Sequence, residues 1–158
     1  TPYIMKRLFL SALLAISLFF TSCGQLKVFK GADSIPGVET VYVGGALLRI
    51  GMNSAGAEYA DMGKEYGVDV SGLEAIEILD TETPAAIAKL KPFVDRVVKE
   101  KKFEVAMQNK EDGELNTIYF SPQDAKQRSD MLIVSQEKDE MSVVLLQGIT
   151  FKAEKKQQ

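Results

Sequence analysis

The sequence predicts an α+β fold of two layers, in which helices pack on one face of a mainly antiparallel sheet. Two observations lead to this expectation. The last third of the chain consists of short alternating or β-branched runs separated by turn residues, which is typical of antiparallel strands. Helical periodicity occurs only earlier, before and after the second predicted strand, so the predicted order is β-α-β-α-β-β-β-β.

The first half of the domain alternates strand and helix signals. Residues 38–43 are β-branched and aromatic, and they predict the first strand. Residues 46–52 are apolar enough for a short helix, and residues 58–66 place tyrosine and methionine side chains at helical spacing, a stripe that we assign to the core. Residues 73–81 predict a second, largely buried strand.

A long helix is predicted after this strand. Thr83 is a suitable N-cap, and Pro84 suits the first helical position, where a backbone N–H has no partner within the helix. We expect the helix to run to about Lys101 and to kink at Pro92, which removes one backbone hydrogen bond. Its predicted buried stripe consists of Ile87, Leu90, Val94 and Val97.

Four strands complete the predicted sheet. Residues 103–108 and 115–120 flank the hairpin turn Glu111-Asp112-Gly113. Residues 131–135 and 141–149 form a second hairpin, whose strands are apolar on both faces. Helices of a two-layer fold cover only one face, so either loops shield the second face, or this face contacts a partner or a second copy of the chain. The candidate partner-facing residues are Met131, Ile133, Val143 and Leu145.

The first residues resemble the export signal of bacterial lipoproteins. Lys6-Arg7 precedes an apolar run over residues 8–20 and the small Ser22, and Cys23 is the only cysteine. As a helix, the apolar run would span only about 20 Å, shorter than the roughly 30 Å hydrocarbon core, so a cleavable segment fits better than a membrane-spanning one. The resemblance implies acylation of Cys23 and cleavage just before it. An ordinary cleaved signal with an incidental cysteine is the main alternative.

These observations predict the organisation of the chain. We expect a cleaved signal peptide over residues 1–22, a lipidated tether over 23–36, a single α+β domain over 37–151 and a polar tail over 152–158. Two or three acyl chains on Cys23 would anchor the protein stably to a membrane. We therefore predict a lipid-anchored protein of the cell envelope that faces the periplasm, on the inner or the outer membrane.

Composition excludes several classes of function. Lys6 and Arg7 leave with the signal, so 17 of the 19 basic residues remain against 22 acidic ones, a net charge of −5. This acidic balance argues against nucleic acid and against an anionic membrane surface as electrostatic partners. The chain has no histidine, which excludes Ser-His-Asp and Cys-His catalysis and leaves no usual zinc site. We predict no cofactor, no metal and no catalytic residue.

One group of acidic residues is dense enough to be weighed as a site. Alternation along the second predicted strand places three of its carboxylates on one side and Glu77 on the other. Two carboxylates about 5–10 Å apart could serve a glycosidase, but a solvated strand edge that deters edge-to-edge pairing is the simpler interpretation. The group consists of Glu74, Glu77, Asp80 and Glu82.

Three segments resemble one bacterial family. The strand Val41-Tyr42-Val43, the Ala46-Leu47-Leu48-Arg49 helix and the run from Gly72 to Glu82 are similar to the family called domain of unknown function 4252, and the two terminal hairpins fit its pattern. The resemblance implies a small secreted or lipid-anchored envelope protein without an assigned activity, and it offers no site residues. We expect a non-enzymatic binding or scaffolding domain; the alternatives are a carboxylate-dependent periplasmic hydrolase and an envelope sensor domain.

Overall fold

Seven strands form one antiparallel sheet in the computed structural model, which describes residues 27–51 and 65–151. The strands are β1 (Glu39–Gly44), β2 (Val68–Asp69), β3 (Ala75–Thr81), β4 (Glu104–Glu111), β5 (Glu114–Phe120), β6 (Ser129–Gln136) and β7 (Met141–Phe151). The helices are a 3-10 turn (Ala32–Ser34), α1 (Gly45–Gly51) and α2 (Pro84–Glu100). The predicted α+β class with a mainly antiparallel sheet is confirmed.

The strands follow the order β1-β3-β7-β6-β5-β4, and β2 pairs with the end of β7. The last four strands are neighbours both in sequence and in space, as the two predicted hairpins require. β3 pairs with the other side of β7, and β1 then pairs with β3. The sequence offers no signal for β2, because two residues are too few to show an alternating pattern.

Helix α2 has the predicted start and the predicted buried side. The Thr83 hydroxyl accepts a hydrogen bond from the Ala86 N–H at 3.3 Å, and Pro84 occupies the first helical position. The helix continues through Pro92, which lies on its exposed side, and its end is closed by a 2.9 Å bond from the Lys101 N–H to the Val97 carbonyl. The buried residues of α2 are Ala86, Ile87, Leu90, Val94 and Val97.

The sheet carries a hydrophobic core on each face. The helix-side core lies between the sheet and α2, where Leu132, Val143 and Leu145 contribute from β6 and β7. The second core lies on the opposite face, where Leu48 of α1 and the segment 68–73 cover part of the sheet. Its sheet residues are Ile76, Ile118, Met131, Leu146 and Ile149. The two-sided apolar strands of the last hairpin are therefore explained by packing within the chain.

Residues 28–38, which we call the N-terminal strap, lie along the helix-side core. Phe29 and Ala32 are fully buried there, and Ile35 and Val38 pack beside them. The predicted tether over residues 23–36 is therefore wrong from residue 28 onward, because this stretch is part of the packed domain. The strap shows neither helical nor strand periodicity, since Gly31 turns the backbone at a φ of 90°.

Several predicted features lie outside the described residues: the signal over 1–22, Cys23, the stripe residues up to 64 and the tail over 152–158. Within 27–51 and 65–151, no helix has both the length and the apolar character needed to cross a membrane.

Candidate functional site

Glu77, one of the four predicted acidic residues, binds the N-terminal strap. It lies on β3 and faces the helix side of the sheet, where its side chain is only 2% exposed. Its carboxylate accepts hydrogen bonds from the backbone N–H of Val28 at 2.6 Å and of Phe29 at 3.1 Å. The Gln147 side-chain amide donates to the same carboxylate at 3.5 Å. Glu77 therefore attaches the start of the domain to a central strand.

Burial raises the pKa of Glu77 above the ordinary carboxyl value. The two backbone N–H groups of the strap lower the pKa, as do the charges of Lys27 and Lys101, but these effects do not cancel the cost of burying the charge. The carboxylate is thus a structural group whose charged form is disfavoured, and the strap covers it from solvent.

Acidification is expected to stabilise the protein relative to a Glu77→Gln variant. The raised pKa means that the folded chain binds this proton more tightly than the unfolded chain, whose glutamates titrate near about 4.3. The contribution is complete below that ordinary value and is lost as the pH rises through the raised folded value. Urea unfolding of both proteins across this window measures the effect, and a stability difference that does not change with pH would contradict it.

Glu74, the first of the predicted acidic residues, belongs to an ion-pair network in the β5–β6 loop. Arg128 pairs with Glu74 through Nη1 and with the Asp124 carboxylate through Nε at 2.9 Å and Nη2 at 2.8 Å. Backbone and side-chain donors of Arg128 lower the pKa of Asp124, which also accepts the Lys126 N–H at 2.8 Å. These contacts hold the loop together, and exposed pairs of this kind contribute little to stability.

Asp130 was not singled out from the sequence. Its carboxylate accepts a hydrogen bond from the Gly148 N–H at 3.1 Å, and burial raises its pKa. Gly148 has a φ of 86°, and a Cβ there would lie 3.2 Å from the Gly72 carbonyl oxygen, so this position of β7 requires glycine. Asp130, Glu74 and Arg128 line a small hollow of about 150 Å³. A lone aspartate near the start of an apolar strand carries no sequence signal for this role.

Asp80 and Glu82 lie at the end of the sheet where β3 finishes and α2 begins. There they line a hollow of about 310 Å³, which we call the acidic hollow. Among the described residues it is lined by six carboxylates and by no lysine or arginine: Glu39, Asp80, Glu82, Glu114, Glu137 and Glu140. The Ser135 hydroxyl donates to Glu114 at 2.6 Å and lowers the pKa of that carboxyl.

The four predicted acidic residues therefore occupy three separate places. As predicted, Glu77 faces the side of the sheet opposite to Asp80. In the described part of the chain, no three acidic, cysteine or histidine side chains converge closely enough to hold a metal ion.

A family model for the domain of unknown function (DUF4252) matches residues 33–158. The chain belongs to this family. The match spans the whole sheet and the two α-helices of the described residues, and it begins within the strap, after Phe29 and Ala32. No curated protein and no solved structure matches the chain.

The DUF4252 domain carries a continuous apolar row across six strands of its second face. Directly paired residues form this row, from the edge strand β1 to the edge strand β4: Val41, Ile78, Val144, Ile133, Ile118 and Met107. The two ends are open, since Val41 is 52% and Met107 47% exposed. The next row on the same face is polar throughout: Glu39, Asp80, Ser142, Ser135, Asn116 and Asn109.

The residues predicted to face a partner lie mostly inside the DUF4252 domain. Met131, Val143 and Leu145 are fully buried, and Ile133 is half-buried in the apolar row. They also divide between the faces: Val143 and Leu145 belong to the helix-side core, and Met131 and Ile133 to the opposite side. The sequence could not distinguish these sides, because a strand that is buried on both faces shows no alternation.

Proposed function

We propose that this protein is a lipid-anchored envelope protein whose DUF4252 domain faces the periplasm and acts as a non-enzymatic binding or scaffolding domain. The lipoprotein-like signal supports the anchor: two basic residues, a short apolar run and the single Cys23. The position of the strap also supports an anchor at Cys23. The folded domain begins only five residues after that cysteine, so an anchor there would hold the domain close to the membrane.

The non-enzymatic part of the proposal rests on the positions and partners of the four acidic residues. Glu77 is buried under the strap and binds its backbone, and Glu74 is paired with Arg128 in a loop. Neither residue lines the acidic hollow with Asp80 and Glu82. A general acid and base must meet at one substrate position, and of the four predicted acids only Asp80 and Glu82 share a hollow.

The apolar row supports a role in binding. Of its middle residues, Ile118 is buried and the other three are half-buried, but Val41 and Met107 are open at the two sheet edges. An apolar strip with polar residues on one flank is a common form of protein contact surface. The row therefore gives the domain a surface for binding another molecule without catalysing a reaction.

The anchor is tested by intact mass measurement on protein from the membrane fraction. We expect the wild type to lack residues 1–22 and to carry the added mass of acylglyceryl groups on Cys23, while Cys23→Ala stays uncleaved or moves to the soluble fraction. A native protein with a free thiol and an intact leader would contradict the proposal. Turnover of a glycoside or ester that Asp80→Asn/Glu82→Gln abolishes would contradict the non-enzymatic part.

A further inference from the structure

The first and the last described residues of the chain lie at the same end of the sheet. The strap starts beside Glu77 and Gln147, near the beginning of β3. β7 continues past Gln147 in the same direction and ends at Phe151, whose ring packs edge-to-face against Phe120 at a centroid distance of 5.0 Å. The acidic hollow lies at the other end of the sheet, where β7 begins and β3 finishes.

Lysines gather at the end from which the chain leaves, which we call the lysine end. Lys27 and Lys101 both lie near enough to Glu77 to lower its pKa, so the two cations share one region although 74 positions separate them. The Lys102 N–H donates to the Lys99 carbonyl at 3.3 Å, which places Lys102 in the turn that directly follows α2, close to Lys99. Lys99, Lys101 and Lys102 are exposed.

Few acidic side chains oppose these four lysines. The neighbouring exposed acids are Glu100 and Glu104, whereas Glu77 and Asp130 are largely buried. Glu74 and Asp124 also lie at this end of the sheet, but both are paired with Arg128. The sequence beyond Phe151 continues with three more lysines and one glutamate. The net charge of −5 therefore conceals a separation, with positive charge at the lysine end and six carboxylates around the acidic hollow.

Helix polarity explains only part of this pattern. Cations at the last turn of a helix are favourable because the C-terminal carbonyls carry partial negative charge. That reason applies to Lys99 and Lys101, but Lys27 directly precedes the strap and lies outside any helix. The convergence of Lys27 with the helix end is a property of the tertiary fold.

We propose that the lysine end is a contact surface for anionic lipid headgroups, so that the acidic hollow faces away from the membrane. This inference rests on the proposed lipid anchor. Five residues separate Cys23 from Val28, so an extended chain spans at most about 18 Å between the acylated sulfur and the folded domain. This short link allows the lysine end to reach the headgroups, and each lysine within a Debye length of an anionic surface favours contact by about fivefold.

The test uses full-length, acylated protein on vesicles of phosphatidylcholine, with or without phosphatidylglycerol. Glu100→Cys introduces a thiol among the lysines, and Asp139→Cys introduces a matched thiol in the β6–β7 turn at the far end. Since acylation occupies Cys23, each variant has one free thiol. We expect maleimide to label Glu100→Cys severalfold more slowly when phosphatidylglycerol is present, and to label Asp139→Cys at the same rate on both vesicles. High salt should remove the difference.

Charge variants identify the source of any protection. Lys99→Gln/Lys102→Gln in the Glu100→Cys protein should weaken the contact by about fivefold for each lysine removed, and this pair leaves Lys101 in place beside Glu77. The matched control, Lys110→Gln/Lys138→Gln, removes the same charge near the far end and should leave the protection intact.

Two failures can be told apart. Protein that binds neither kind of vesicle would overturn the proposed anchor. Protein that binds both kinds, with Glu100→Cys labelled equally fast on each, would overturn the contact surface and leave the anchor standing. Slower labelling of Asp139→Cys than of Glu100→Cys on phosphatidylglycerol would show the opposite orientation and would also overturn the inference.

Discussion

Glu77→Ala is expected to lower the free energy of unfolding by about 3–5 kcal/mol, a large share of the stability of a domain of this size. The variant removes the acceptor for the Val28 and Phe29 N–H groups, and a buried N–H without a partner costs about 1–3 kcal/mol. It also leaves a cavity under the strap. Urea unfolding followed by circular dichroism measures the loss.

The matched control is Glu77→Gln. Its amide oxygen can still accept one strap N–H, and the neutral amide avoids the cost of burying a charge, so we expect a loss of only about 1–2 kcal/mol. If the alanine and glutamine variants were equally stable, the hydrogen bonds to the strap would not be what Glu77 contributes.

Phe29→Ala is expected to cost about 3–5 kcal/mol, as large truncations in a packed core do. Phe29 is 1% exposed and contacts Phe93 of α2 at a ring-centroid distance of 6.3 Å. If the strap were a flexible tether, the same truncation would have almost no effect. Thermal or urea unfolding distinguishes these results directly.

Lys30→Ala is the control for the phenylalanine, because its side chain is exposed on the same strap and its loss should change stability by less than about 0.5 kcal/mol. Glu77→Ala and Phe29→Ala both release the strap, so the double variant should cost less than the sum of the single ones. Full additivity would mean that the two residues do not act on a shared segment.

Periodic patterns predicted the elements that bury one defined face. The stripe of α2 was found because residues three and four apart lie on one side of a helix, and Thr83 and Pro84 mark its start by local chemistry. The two hairpins of β4 to β7 were found from short runs and the Glu111-Asp112-Gly113 turn. These signals are local, so a single sequence contains them.

Other parts of the fold depend on contacts between distant residues. Phe29 is buried because it packs against α2, and no residue near it in sequence indicates that contact. The second core depends on Leu48 and the segment 68–73, which return to a face that the predicted two-layer arrangement left to loops or a partner. Strands buried on both sides show no alternation, so the sequence alone could not assign Val143 and Met131 to opposite faces.

The sequence predicted only part of the arrangement of the acidic residues. Parity along β3 places Glu77 and Asp80 on opposite sides of the sheet, which follows from the two-residue period of a strand. The burial of Glu77 could not be predicted, because its partners are backbone N–H groups nearly fifty positions earlier in the chain. Backbone donors have no sequence signature.

The bonds between Glu77 and the strap also determine how the domain would respond to tension. A pulling force applied at the N-terminus reaches Val28 first and passes through the Glu77 carboxylate into β3, an interior strand with neighbours on both sides. The force therefore acts on an interior strand of the sheet rather than on an edge strand. Unfolding of the domain under force would require Phe29 to leave its buried position beneath α2 before any strand separates from the sheet.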